Sequence, residues 1–147
     1  MIHSTGTGGF PVSSGGRWLL LAWSLFLLGG FASARMLEPD PRGFGTHQRL
    51  GLPPCTFRLL FGIPCFSCGM TTSFAHFTRG HLAKAVETNA GGALLALVCA
   101  VQIPWCWWSA FRGRLVGVSH PTKSLSALVV LVVGVSAANW LFQIFGD

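Results

Sequence analysis

The chain has 147 residues, of which 51% are hydrophobic and only 10% charged, whereas a soluble domain carries about 25% charged residues. So few charges cannot cover a water-facing surface, and one domain solvated largely by lipid is expected. Ten Lys and Arg against four Asp and Glu give a net charge of +6. The basic residues are scattered singly through connecting segments with no basic run, which argues against nucleic acid as a partner and fits the flanks of membrane spans.

Residues 1–16 are Gly-, Ser- and Thr-rich and read as a flexible tail, leaving 17–147 as a single membrane domain. The first apolar run, 18–34, carries no charge and is bounded by Arg17 and Arg35. At 1.5 Å per residue it reaches about 26 Å, enough to cross if the flanking arginines snorkel. A cleaved signal peptide is the rival reading of this run, with Ala32-Ser33-Ala34 as its small-residue cleavage pattern.

A long connection follows, whose first third is broken into turns by Pro39, Pro41, Gly43, Gly45, Gly51, Pro53 and Pro54. From Gly69 to Thr88 the spacing predicts an amphipathic helix, with Met70, Phe74 and Phe77 on one side and an interruption or end near Gly80. Such a helix can lie along the membrane surface or against the spans. The second span, 90–111, has 22 uncharged residues and contains Pro104; Trp105, Trp107 and Trp108 mark its exit through the headgroup layer. The third span, 125–145, carries Asn139 and Gln143 four residues apart, so they share a face expected to meet another helix, as is Gln102 in the second span. The fold class expected is therefore an all-α integral membrane protein with three transmembrane helices and a short amphipathic helix after a Cys-containing turn.

The short connection 112–124 holds Arg112, Arg114 and Lys123 and no acid, and Arg17 shares its side; the long connection holds six basic and three acidic residues. Short basic loops govern topology, so a multi-pass protein of the cytoplasmic membrane is expected, with its N-terminus in the cytoplasm and the cysteine-bearing loop (55–89) outside.

Chemistry is concentrated in that loop. Cys65 and Cys68 are separated by two residues and Cys55 lies ten earlier, in a turn leading into a helix. This geometry suits either a reversible disulfide or half of a tetrahedral thiolate metal site, for which zinc is the metal and His76, or His47 or His81, a candidate fourth ligand alongside Cys55, Cys65 and Cys68. Free thiols packed at the membrane surface are the third reading. Gly69 permits close backbone approach, and Thr71 follows at the helix start. Cys99 and Cys106, seven apart in the second span, read as packing residues. No nucleophile elbow and no suggestively placed acid supports a hydrolase, and no charged residue within a span supports transport.

The same segment resembles the bacterial membrane proteins grouped as domain of unknown function 2752, which share a Cys-containing lead, a Gly-hydrophobic-x-Cys-Pro-x-Cys-Gly-x-Thr-Arg core, and Gly, Ala and Asn-Pro positions before a hydrophobic span. The matching residues are Cys55, Phe57, Leu59, Gly62, Cys65, Cys68, Gly69, Thr71, Gly80, Ala85 and Asn89. Phe66 stands where the family usually has Pro, and Thr72 where it usually has Arg. The resemblance implies a membrane location and a cysteine-centred motif, and no particular activity. The function expected is a non-enzymatic assembly component, with no cofactor, whose partners are the bilayer and another membrane protein or a second copy. The alternative is a membrane-anchored thiol site built on Cys65 and Cys68.

Overall fold

The computed structural model describes residues 9–145. Three of its helices, α1 (Ser14–Met36), α5 (Ala90–Arg112) and α6 (Pro121–Phe145), are long and apolar enough to cross a membrane. Between α1 and α5 lie a 3-10 turn (Thr46–Leu50) and three short helices, α2 (Thr56–Phe61), α3 (Met70–Phe77) and α4 (Leu82–Thr88). Each long helix extends beyond the charge-free run that predicts it, because helical hydrogen bonding continues past the point where apolar composition ends. Ser13 starts α1 early by accepting the Gly16 N–H on its hydroxyl (3.2 Å), an N-cap that takes up one of the helix's orphan donors.

The expected tail divides. Residues 1–8 lie outside the described residues, whereas Gly9–Pro11 form strand β1, antiparallel to β2 (Arg114–Val116) with Phe10 opposite Leu115. Val12 N–H donates to the Gly113 carbonyl (2.9 Å) and Phe10 N–H to that of Val118 (3.0 Å). Backbone pairing orders this segment, and backbone pairing leaves no periodicity in three residues. The ribbon gathers the start of α1 and the α5–α6 connection at one end of the molecule. There Trp105 Nε1 donates to the Val116 carbonyl (2.9 Å), and the Arg112 guanidinium lies 4.7 Å from the Trp108 ring centre.

Antiparallel α1 and α5 are joined by polar groups set into apolar faces. Trp107 Nε1 donates to Ser24 Oγ (2.8 Å), and Trp23 Nε1 reaches Gln102 Oε1 (3.4 Å). Gln102 therefore meets another helix, as its place in an apolar run predicts. At the opposite end α6 is hydrogen-bonded to the start of α5, where Ala90 N–H donates to Asn139 Oδ1 (3.3 Å), and to the end of α4, where Gln143 Nε2 donates to the Thr88 carbonyl (3.4 Å). Gly91 permits the approach: a Cβ there would overlap Ser136 Oγ and stand 2.9 Å from Ser136 Cα.

The amphipathic segment is two helices, not one. Gly80 takes φ +77°, Gly80 N–H bonds the Phe77 carbonyl (3.0 Å), and His81 N–H bonds that of His76 (3.1 Å), a left-handed termination that ends α3 and turns the chain back. The α3–α4 pair then lies against the spans: Phe74 and Phe77 meet Phe31 of α1 at ring separations of 5.9 and 6.2 Å, and Gly92 of α5 abuts Met70 and Ser73. Ala75, Ala85 and Ala96 are fully buried, so the core at this end consists of small side chains that let backbones approach closely.

Gly91→Ala is expected to destabilise the protein in detergent by about 1–3 kcal/mol, the usual range for overpacking, although alanine favours the helix. Adding Ser136→Gly removes the overlapping Oγ and Cβ and should recover part of the loss. A double-mutant cycle on thermal unfolding reads both, and additive effects would refute the contact.

Candidate functional site

At the end of the bundle away from the ribbon, the α2–α3 segment encloses a cavity of about 490 Å³. Cys55, Cys65, Cys68, Gly69 and Thr71, the residues that the sequence motif singles out, all line it. Cys55 sits at the N-cap of α2, while Cys65 and Cys68 occupy a turn closed by Cys68 N–H to the Cys65 carbonyl (2.9 Å) that leads into α3. Gly69 caps α3 at φ +83°, where a side chain is strained; a Cβ would also lie 2.8 Å from the Gly43 carbonyl oxygen and 3.0 Å from that of Thr88.

Asn89, 1% exposed, holds this turn against α5. Its Oδ1 accepts the Gly92 N–H (2.7 Å), capping α5, while its Nδ2 donates to the Cys68 carbonyl (2.9 Å). Ser73 Oγ lies within reach of the Ala85 (2.8 Å) and Asn89 (3.1 Å) carbonyls, tying α3 to α4 and to the same cap. From α6, Trp140 Nε1 donates to the Pro64 carbonyl (2.8 Å) beside Cys65.

The opposite wall is the 40–46 segment. Asp40 Oδ1 accepts from the backbone N–H (2.9 Å) and Nε (3.0 Å) of Arg42, and its Oδ2 accepts from Arg42 Nη2 (2.8 Å). Asp40 N–H donates to Thr46 Oγ1 (3.0 Å), which shares a hydrogen bond with Thr72 Oγ1 (2.8 Å). Thr72, at the position where the related motif usually carries Arg, is thus a fully buried link between the two walls. The Arg42 side-chain hydrogen bonds hold the Asp40 carboxyl at about 2, below its ordinary 3.8.

The thiols are all free and not equivalent. The backbone N–H of Arg58, followed by the Cys65 side chain, lowers the pKa of Cys55; burial, followed by the hydrogen bond with Cys55, raises that of Cys65. The Cys55 and Cys65 side chains are hydrogen-bonded to each other, an arrangement that favours ionisation at Cys55 and opposes it at Cys65. Close pairing thus joins the motif's second cysteine to the upstream one, ten residues away. Arg58 Nη1 donates to Cys68 Sγ (3.5 Å), and the Arg58 guanidinium carbon lies 3.6 Å from the Phe44 ring centre.

His76 does not join the cysteines. It stands at the far end of α3 with its ring 6.1 Å from that of His81; burial, then the charges of His81, Lys84 and Arg79, lower its pKa. Helical rise along α3 carries His76 away from the turn that holds the cysteines. Among the described residues no three His, Cys, Asp or Glu side chains have the arrangement to hold a metal. His47, a candidate ligand in the sequence, lines the cavity, as do Arg42, Phe44 and Arg58, which belong to no motif. Of these, only Arg58 carried a local signal, three residues after Cys55 at the start of a short helix.

Asn89→Ala is expected to cost about 1–2 kcal/mol through loss of the cap. Asn89→Asp retains the acceptor for Gly92 but cannot donate to Cys68, so it should recover stability while leaving Cys68 more rapidly alkylated; thermal unfolding and mass-mapped labelling distinguish the two. Acid supplies another measurement. Because the Asp40 pKa is lowered on folding, its stabilisation is fully present above its unfolded value of 3.8 and is lost as pH falls through about 2. Asp40→Asn should flatten the unfolding midpoint across that window.

No curated protein and no solved structure matches the chain. The family model described as "Protein of unknown function (DUF2752)" matches residues 55–103, so the family resemblance carried by the cysteine motif holds from α2 through the first half of α5.

Proposed function

We propose that this chain is a membrane-anchored thiol–disulfide exchange site in which Cys55 attacks and Cys65 resolves. The observation supporting this is the hydrogen-bonded pair at the cavity wall, in which the pKa of Cys55 is lowered and that of Cys65 raised. The Cys55 thiolate attacks one sulfur of an incoming disulfide, forms a mixed disulfide and expels one thiolate. Cys65 then loses its proton, attacks the Cys55 sulfur and expels the second thiolate. The protein dithiol loses two electrons, the incoming disulfide gains them, and the released thiolates take up two protons.

The proposed setting is the cell membrane, with the N-terminus cytoplasmic and the cavity on the exported side, where disulfides persist. Support comes from charge placement: Arg17, Arg112, Arg114 and Lys123 gather at the ribbon end, and short basic connections favour the cytoplasm. A second reading, as a component that assembles with a second copy or another membrane protein, draws support from α6. Ser136 is the one buried residue of that helix, which leaves a long apolar surface for lipid or for another span.

The test uses the full chain in detergent, reduced and then treated with hydroxyethyl disulfide. Mass mapping is expected to find a Cys55–Cys65 disulfide and release of two equivalents of small thiol. Cys65→Ser should accumulate a mixed disulfide on Cys55, and Cys55→Ser should abolish the product. The Cys55 rate should rise with pH and level off below the range of an ordinary thiol, about 8.5. Five unreacted thiols after treatment, or stoichiometric zinc lost in Cys68→Ser, would overturn the proposal.

A further inference from the structure

We infer that the cavity selects disulfides bearing carboxylates, and that Arg58 is the side chain that receives them; this rests on the thiol–disulfide reading above. Residues lining the cavity include Arg42, Arg58 and His47 and no Asp or Glu. The two arginines differ in what compensates them. Arg42 is committed to Asp40 through Nε and Nη2. Among the described residues the ion pairs are Arg42–Asp40 and Arg49–Glu38, and Arg58 belongs to neither.

Arg58 is nonetheless held in place. Its guanidinium lies over the Phe44 ring and spends Nη1 on the Cys68 sulfur, so Nη2 and Nε remain as donors on a plane already fixed on two sides. A guanidinium fixed in this way matches the planar, two-oxygen geometry of a carboxylate, and little side-chain freedom is lost when it binds. It also borders a second cavity, of about 350 Å³, where Glu87 is the acid lining the wall and forms no ion pair with it. The larger cavity falls within the range of small-ligand pockets, about 300–1,000 Å³, and holds all three loop thiols. A small peptide or amino-acid disulfide can therefore place a carboxylate on Arg58 while presenting sulfur to Cys55, three residues away on the same short helix.

The arrangement also permits a clean test. The Arg58 backbone N–H lowers the Cys55 pKa, so side-chain substitution leaves the nucleophile's main support intact. Second-order rate constants for loss of the Cys55 thiol are compared for oxidised glutathione (anionic), hydroxyethyl disulfide (neutral) and cystamine (cationic), using the full chain in detergent at low salt. Oxidised glutathione should react about tenfold faster than the neutral probe, cystamine slowest, and added salt should compress the order. Arg58→Gln should bring the ratio of the glutathione rate to the neutral rate down to about one and raise the ratio of the cystamine rate to the neutral rate, whereas unfolding would change all three rates together; Arg58→Lys should retain part of the preference. Equal rates for the three probes, or an Arg58→Gln variant slowed equally towards all of them, would overturn the charge selection and leave the exchange reading standing. A Cys55 inert to every probe would overturn the exchange reading itself.

Discussion

The buried carboxamide of Asn89 is the interaction on which the rest of this structure depends. One side chain caps the second membrane helix through its oxygen and grips the Cys68 carbonyl through its nitrogen. An unsatisfied amide at such a buried position would cost about 1–3 kcal/mol, so both bonds must form together. Start of helix and position of cysteine turn thus become a single structural event. Adjacent glycines make room for it: Gly91 admits α6 at Ser136, and Gly92 admits α3 at Met70 and Ser73.

From this junction the cap is assembled by hydrogen bonds more than by apolar bulk. Among the described residues the largest fully buried side chains are Asn89, Thr46, Thr72 and Ser73 around this junction and Cys106, Ser24, Ser109 and Ser136 in the long helices. Such a core is weak in hydrophobic terms, and it is consistent with a chain whose large apolar residues are needed on the outside, facing lipid. Polar groups in the interior then have high value, because each that is bonded fixes one backbone against another.

The parts of this architecture that can be read from sequence are those with a period or a long composition bias. The three long helices are legible from uninterrupted apolar runs, and Asn139, Gln143 and Gln102 declare by their polarity that they face protein. The break at Gly80 is visible, but the reversal that follows it depends on Ser73 meeting the Ala85 carbonyl, a contact across twelve positions with no local trace. The β1–β2 ribbon is similarly hidden, since it consists of backbone bonds between segments a hundred residues apart. At the cavity, the motif locates Cys55, Cys65 and Cys68, but not which two sulfurs pair. Two-residue spacing favours Cys65 with Cys68; the entry of α2 brings Cys55 against Cys65 instead. The place of Arg58 depends on Phe44, contributed by a Pro- and Gly-rich stretch with no periodic signal.

Trp140 connects the cavity with the bilayer. Its indole holds the carbonyl of Pro64, the peptide oxygen immediately before Cys65, from a helix that is long and apolar enough to cross a membrane and buries little else. The peptide that leads into the cysteine turn is thus anchored to α6 and shares its position.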